Sequence, residues 1–149
     1  MPRSLHHAAL CVRDLDASLR FYRDGLGLEV LMDERFDGDW PALFSARTRV
    51  LHSVFLGEPS APNAGIVELV EFDGGVDDRS EPDRPARGFF LLSFFVDLDA
   101  TLSRLARLGL GGRPRRIEQP GGHGTVGMAT VHDPDLVRVE LIESGPTRI

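Results

Sequence analysis

Residues 6–30 have the sequence HHAALCVRDLDASLRFYRDGLGLEV, in which a short apolar run leads into the signature DLDASL at Asp14–Leu19. The same order returns at 88–102, where the apolar run GFFLLSFFV is followed by DLDATL at Asp97–Leu102. Self-similarity within one chain indicates a supersecondary unit that is built more than once. The two stretches therefore predict an apolar strand that leads directly into a helix, once in each half of the chain.

A second pair of signatures closes each half. Val67–Glu71 reads VELVE and Val139–Glu143 reads VELIE, and each follows its DLDA signature in the same order. Each half is thus predicted to contain a strand, a helix, two variable strands and a last strand with the VEL signature. The predicted fold class is α+β, with two tandem β-α-β-β-β modules at about 4–72 and 88–144 and a polar linker at 73–87.

The spacing of apolar residues supports the first helix. They recur at intervals of four, three and four residues, which places them on one helical face. The residues concerned are Leu15, Leu19, Tyr22 and Leu26. Asp14 and Asp97 stand where an N-cap side chain would accept hydrogen bonds from the first helical amides.

The remaining strands are predicted from runs of β-forming residues that are separated by Pro, Gly and Asp turns. These runs are 50–56, 65–72, 88–96, 115–118, 126–132 and 137–142. The charged stretch 33–39 is expected to be a solvated loop. Gly122, Gly124 and Gly127 have GxGxxG spacing, but a strand-forming run follows them rather than the helix that dinucleotide binding requires.

Composition limits the classes of partner and chemistry. The 149 residues suit a single domain spanning 1–149, and a net charge of −6 disfavours nucleic acid. All basic residues other than histidine are arginine, so Schiff-base chemistry at a lysine is excluded. The one cysteine, Cys11, cannot form an internal disulfide, and no apolar run is long enough to span a membrane, so a cytoplasmic location is expected.

The opening from His6 through DLDASLRFYRDGLGLEV resembles that of the vicinal oxygen chelate superfamily, which includes glyoxalase I, bleomycin resistance proteins and extradiol dioxygenases. The tail VHDPD at 131–135, followed by the last VEL, resembles the closing hairpin of that family. Leu136 stands where the family has a turn glycine, which predicts a wider hairpin. The resemblance implies that the two modules form an incomplete barrel around a cleft and that the protein is a homodimer.

The resemblance also implies a metal site. In this family, inward-facing residues on the first and last strands of each module bind a divalent ion, which chelates the substrate. Carried over by register, the ligands are His7, Glu68 and Glu140, while the fourth position is Leu91. The remaining imidazole and two carboxylates suit Zn, Ni, Mn, Fe or Co. A weaker metal site and a cleft without metal are both compatible with this set.

Other residues are candidates for substrate binding. Trp40 is expected at the mouth of the cleft, Arg47 or Arg49 could bind a ligand carboxylate, and His123 lies in a loop that could overhang the cleft. Strand alternation is expected to place His6 on the face opposite His7.

Two functions of different classes follow. The first, which we favour, is a glyoxalase-like metal-dependent lyase or isomerase that acts on a small oxygen-rich substrate, with Glu68 or Glu140 moving a proton. The alternative is a metal-free protein of the bleomycin-resistance type that binds and sequesters a small molecule, which the loss of a ligand at Leu91 favours. An extradiol dioxygenase is disfavoured because its iron needs two histidines and a carboxylate.

Overall fold

A computed structural model of the chain describes residues 3–78, 85, 87–122 and 124–145. The chain divides into two compact units, Met1–Arg79 and Ser80–Ile149. No helix within the described ranges is long and apolar enough to cross a membrane.

The first unit contains four strands and two short helices. In chain order these are β1 (His7–Cys11), α1 (Leu15–Leu19), β2 (Glu29–Asp37), α2 (Trp40–Phe44), β3 (Val50–Gly57) and β4 (Ile66–Phe72). The strands form one sheet in the order β1-β4-β3-β2, in which β1 runs parallel to β4 and the other pairs are antiparallel.

The second unit repeats this topology. Its elements are β5 (Leu92–Val96), α3 (Leu98–Arg107), β6 (Gly111–Gly121), β7 (Gly124–His132) and β8 (Arg138–Glu143). The sheet order is β5-β8-β7-β6, and β5 is parallel to β8. The predicted α+β class with two β-α-β-β-β modules is therefore confirmed.

The repeated signatures fix the start of the main helix in each unit. The carboxylate of Asp14 accepts from the backbone N–H of Ala17 at 3.2 Å. The last strand supplies a second acceptor, because Glu71 Oε2 accepts from the N–H of Leu15 at 3.1 Å. Both carboxylates satisfy amides that the helix itself leaves unpaired. The second unit repeats the two bonds in Asp97 with Ala100 and in Glu143 with Leu98.

Helix α1 continues as a π-helical turn at Arg20–Gly25. The predicted face is buried, and the turn also buries Phe21 completely beside Tyr22. Helical periodicity did not predict Phe21 in the core, because a π-turn adds a residue and brings two neighbouring side chains to the same side. The α1 side of the first sheet holds the core of this unit, including the fully buried Val54 and Leu69.

One expectation for local structure is wrong. The charged stretch 33–39 is not a loop through most of its length, because β2 extends to Asp37 and pairs with β3. Its charges are compatible with a strand because β2 lies at the edge of its sheet, where charged residues discourage pairing with another chain.

The turn between β7 and β8 closes without the glycine. The carboxylate of Asp133 accepts from the N–H groups of Asp135 and Val137, and Leu136 adopts a left-handed φ of 65°. A side chain with a Cβ is strained in that region, by about 1–2 kcal/mol. We expect Leu136→Gly to raise the free energy of unfolding by about 1 kcal/mol, since the exposed leucine packs little. Urea denaturation measures this free energy of unfolding. An unchanged or lower value in the variant would show that the left-handed conformation of Leu136 does not destabilise the protein.

Candidate functional site

One face of the first sheet forms the floor of a cavity of about 730 Å³ that lies wholly within this unit. Strand alternation explains the floor, because every second residue of β1, β3 and β4 points to this side. The floor residues are His7, Ala9, Cys11, Leu51, Ser53, Phe55, Glu68, Val70 and Phe72. The size is typical of small-molecule sites, which measure about 300–1,000 Å³.

Aromatic side chains form one wall. Trp40 and Phe44, from α2, are stacked with their ring centroids 5.7 Å apart, and both line the cavity. The indole N–H of Trp40 donates to the carbonyl of Phe36, which lines the cavity from β2, at 3.4 Å. A Cβ on Gly38 would lie 2.6 Å from the indole, so a larger residue at position 38 would clash with the Trp40 side chain. The candidate Trp40 is therefore a lining residue.

The candidate Arg49 is placed beside the wall and is not a lining residue. Its guanidinium lies 3.6 Å from the carboxylates of both Asp37 and Asp39. Asp39 is the N-cap of α2 and accepts from the N–H of Ala42 at 3.3 Å. Arg49 therefore lies at the N-terminus of α2, the helix that carries Trp40 and Phe44.

The candidate Arg47 lies at the rim of the cavity in an ion pair. Its Nη2 is 3.0 Å from Oδ2 of Asp77, and its Nη1 is 3.5 Å from Oδ1. Both residues line the cavity, and the pair joins the segment after α2 to the segment after β4. Both side chains are about 80% exposed, so the pair itself contributes little stability. Its main effect is to occupy the guanidinium.

His7 and Glu68 form the polar corner of the floor. His7 Nε2 lies 3.4 Å from Glu68 Oε1, and the hydroxyl of Ser53 donates to Glu68 Oε2 at 2.5 Å. Metal–ligand bonds of about 2.0–2.2 Å place neighbouring ligand atoms about 3.0–3.4 Å apart. The nitrogen and the oxygen thus have a separation compatible both with a direct ion pair and with two ligands of one divalent ion, and Ser53 holds the carboxylate from its other oxygen.

His6 does not lie on the opposite face, because β1 begins only at His7. Its Nδ1 is 2.9 Å from His7 Nδ1, while Phe55 stacks on the His7 ring with a centroid distance of 5.4 Å. A hydrogen bond between two imidazole nitrogens needs one donor and one acceptor. If His7 donates from Nδ1, its Nε2 keeps the lone pair toward Glu68, as a metal ligand needs; if His6 donates instead, the N–H of His7 lies on Nε2 and faces the Glu68 carboxylate.

The second unit holds Glu140 in a comparable position on its own sheet. Glu140 pairs with Ser93 across β8 and β5, and the Ser93 hydroxyl donates to Glu140 Oε1 at 2.8 Å. In the first unit, Glu68 pairs with Ala9 in the same way. Leu91 lies two residues before Ser93, as His7 lies two before Ala9. Leu91 is half-buried directly before β5, and its ligand position stays a prediction.

His123 lies outside the described residues. In the ranges that are described, no group of three or more His, Cys, Asp or Glu side chains is close enough to hold one metal ion. Ser53, Gly38 and Asp77 were not predicted from the sequence. Of these three, only Ser53 had a signal in the sequence. Strand alternation places it on the same face as Leu51 and Phe55 of β3, the strand that pairs with the strand of Glu68.

Comparison with known proteins agrees with this fold. Residues 4–141 match the Glyoxalase/Bleomycin resistance protein/Dioxygenase superfamily. Because the match covers nearly the whole chain and the two units have the repeated topology, the chain belongs to this superfamily.

Among curated proteins, the chain is 40% identical over 146 residues to the lactoylglutathione lyase-like protein terB of Aspergillus terreus, covering 93% of this chain and 74% of that protein. It is 30% identical to a probable lactoylglutathione lyase of Synechocystis sp., covering 94% and 95%. Among solved structures, a glyoxylase/bleomycin resistance protein/dioxygenase domain from Frankia sp. EAN1pec is 27% identical, with a TM-score of 0.66 over 99% of this chain and 96% of that one.

Proposed function

We propose that this protein is a glyoxalase-type lyase or isomerase that uses a divalent metal held by His7, Glu68 and Glu140. The observation that supports it most directly is the 3.4 Å separation of His7 Nε2 and Glu68 Oε1 on the floor of a cavity of substrate size. The names of the curated relatives favour the same class.

In the proposed reaction, the chain's own residues hold the metal and transfer the proton. A divalent ion supplies Lewis acidity that polarises a substrate carbonyl. Ser53 fixes the Glu68 carboxylate by donating to its second oxygen. In a substrate with a hydroxyl next to its carbonyl, either Glu68 or Glu140 would take the proton from the carbon that bears the hydroxyl and return it to the former carbonyl carbon. The hydroxyl proton passes to the former carbonyl oxygen, so the isomerisation consumes no other reagent.

Glu140→Gln tests the proposal on the second sheet. The amide keeps the shape of the side chain but is neither an anionic ligand nor a base. We expect at least about a hundredfold loss of deuterium exchange from D₂O into the CH₂ group of 2-hydroxyacetophenone, followed by proton NMR, since such groups contribute about 10²–10⁴-fold to proton transfer. The melting temperature should change little, because Glu140 is only half-buried.

Metal analysis of protein purified without chelator completes this test. Stoichiometric transition metal together with loss of exchange in Glu140→Gln would support the proposal. Full exchange in that variant, or exchange that does not depend on metal, would contradict it.

A metal-free binding protein is the second candidate, and Leu91 favours it. An apolar side chain stands where register would put a fourth ligand, and the cavity lining is mostly apolar. This function predicts that no metal binds even after soaking with Mn, Ni or Zn. It also predicts that the affinity for the small-molecule ligand is the same with and without added metal.

A further inference from the structure

We propose that the cavity of the first unit selects flat, uncharged aromatic carbonyl compounds and discriminates against tripeptide thiol conjugates. The inference rests on the proposed function only in taking this cavity as the substrate site. It specifies the substrate class through the shape and charge of the lining.

The shape of the lining favours a flat ring system. Phe36, Trp40 and Phe44 line the aromatic wall, in which the rings of Trp40 and Phe44 are stacked, and Phe72 and Val70 line the floor. Aromatic faces bind other rings by offset stacking, which adds to the free energy of burying apolar area. His7 and Glu68 line the same cavity at its polar corner. The proposal places the ring of the ligand against the aromatic wall and its carbonyl group toward this corner.

The charge of the lining disfavours anions. Arg47 is the one cationic side chain among the described lining residues apart from His7, and Asp77 already occupies it. Glu68 adds a second carboxylate. Asp77 already neutralises Arg47, so a ligand carboxylate in this cavity gains little from the guanidinium and is repelled by the carboxylates of Asp77 and Glu68, which costs binding free energy.

This charge distribution separates the protein from the reaction that its relatives' names describe. A glutathione conjugate brings two carboxylates and a flexible tripeptide, which need several cations or free backbone amides. The chain has no lysine at all, and the one guanidinium among the lining residues that the structure describes is paired. The fold and the His7–Glu68 corner are thus compatible with the family. The rest of the cavity lining favours a substrate without the tripeptide of a glutathione conjugate.

Two unique residues report occupancy directly. Trp40 is the only tryptophan of the chain and Cys11 the only cysteine, and both line the cavity. A bound ring therefore quenches the intrinsic indole fluorescence and slows alkylation of the thiol by iodoacetamide. Neither readout depends on turnover or on metal.

The experiment compares two nearly isosteric probes and one tripeptide with metal-free protein. 1-Hydroxy-2-acetonaphthone is neutral, 1-hydroxy-2-naphthoate replaces its methyl group by an oxyanion, and S-hexylglutathione represents the conjugates. We expect the ketone to bind at least about tenfold more tightly than the naphthoate, from the repulsion of one added charge by nearby carboxylates. S-Hexylglutathione should neither quench Trp40 nor protect Cys11.

Asp77→Asn is the decisive variant, with Asp73→Asn as its matched control. Asp73 is also an exposed carboxylate and is paired with Arg35 at 2.8 Å, but it does not line the cavity. Freeing Arg47 should raise the ratio of naphthoate to ketone affinity by about two- to fivefold, as the removal of one exposed charge pair allows, whereas Asp73→Asn should leave this ratio unchanged.

Three results would overturn the inference: equal or tighter binding of either anionic probe by the unmodified protein, no quenching by the ketone up to its solubility limit, or equal effects of the two asparagine variants. A protein that prefers the ketone but never binds metal would refute the proposed enzyme and leave this selectivity standing. A metal-loaded protein that prefers S-hexylglutathione would refute the selectivity alone.

Discussion

Replacing Glu68 with glutamine is expected to lower the affinity for Zn or Ni at least about a hundredfold and to abolish metal-dependent exchange. The estimate follows because changing even an outer partner of a metal ligand costs about 10–100-fold in affinity. The carboxylate oxygen at 3.4 Å from His7 Nε2 loses its charge, while Ser53 can still hold the amide through its carbonyl oxygen. Isothermal titration calorimetry measures the affinity directly.

Glu71→Gln is the matched control, because the sequence places a second glutamate on the same strand. Glu71 lies three residues further along β4, on the opposite face, where it accepts from the N–H of Leu15. The glutamine carbonyl keeps this acceptor, so the loss is the charge at a helix N-terminus, worth about 0.3–1 kcal/mol. Metal affinity should be unchanged. If the two variants lost affinity equally, the effect would be structural and His7–Glu68 would not be a metal pair.

The contrast between these glutamates explains why the fold was predictable. Strand period two places Glu68 on the cavity side and Glu71 on the helix side, and Asp14 adds the second helix cap. One short signature thus specifies both the strand and the start of the helix that packs on it. Because the second half repeats the signature, the module and its topology follow from local pattern.

The cavity could not be predicted in the same way, since it depends on contacts between residues that are distant in sequence. Arg47 and Asp77 are thirty positions apart and meet only after the sheet forms. Gly38 matters because the Trp40 indole lies against it, which no spacing rule shows. His6 likewise contacts His7 because β1 starts one residue later than alternation assumes.

The second large effect is expected from Leu91→His. Within its own sheet, Leu91 has the same relation to Glu140 that His7 has to Glu68, because Ser93 pairs with Glu140 and Ala9 pairs with Glu68. The new imidazole would recreate the histidine–glutamate pair of the first unit. We expect the affinity for Ni or Zn to rise about tenfold or more, as one added ligand does for a three-ligand set.

Leu92→His is the control that makes this prediction specific. Leu92 is the next residue and is also half-buried, but it pairs with Val139 and points to the other face, toward the core of the second unit. Both variants bring a polar ring into a partly apolar environment and should lower the melting temperature. Only Leu91→His should then recover stability when Ni or Zn is added, because metal binding to the folded state stabilises it by mass action. If neither variant gains metal affinity, or if Leu92→His gains it instead, the face assigned to Leu91 is wrong.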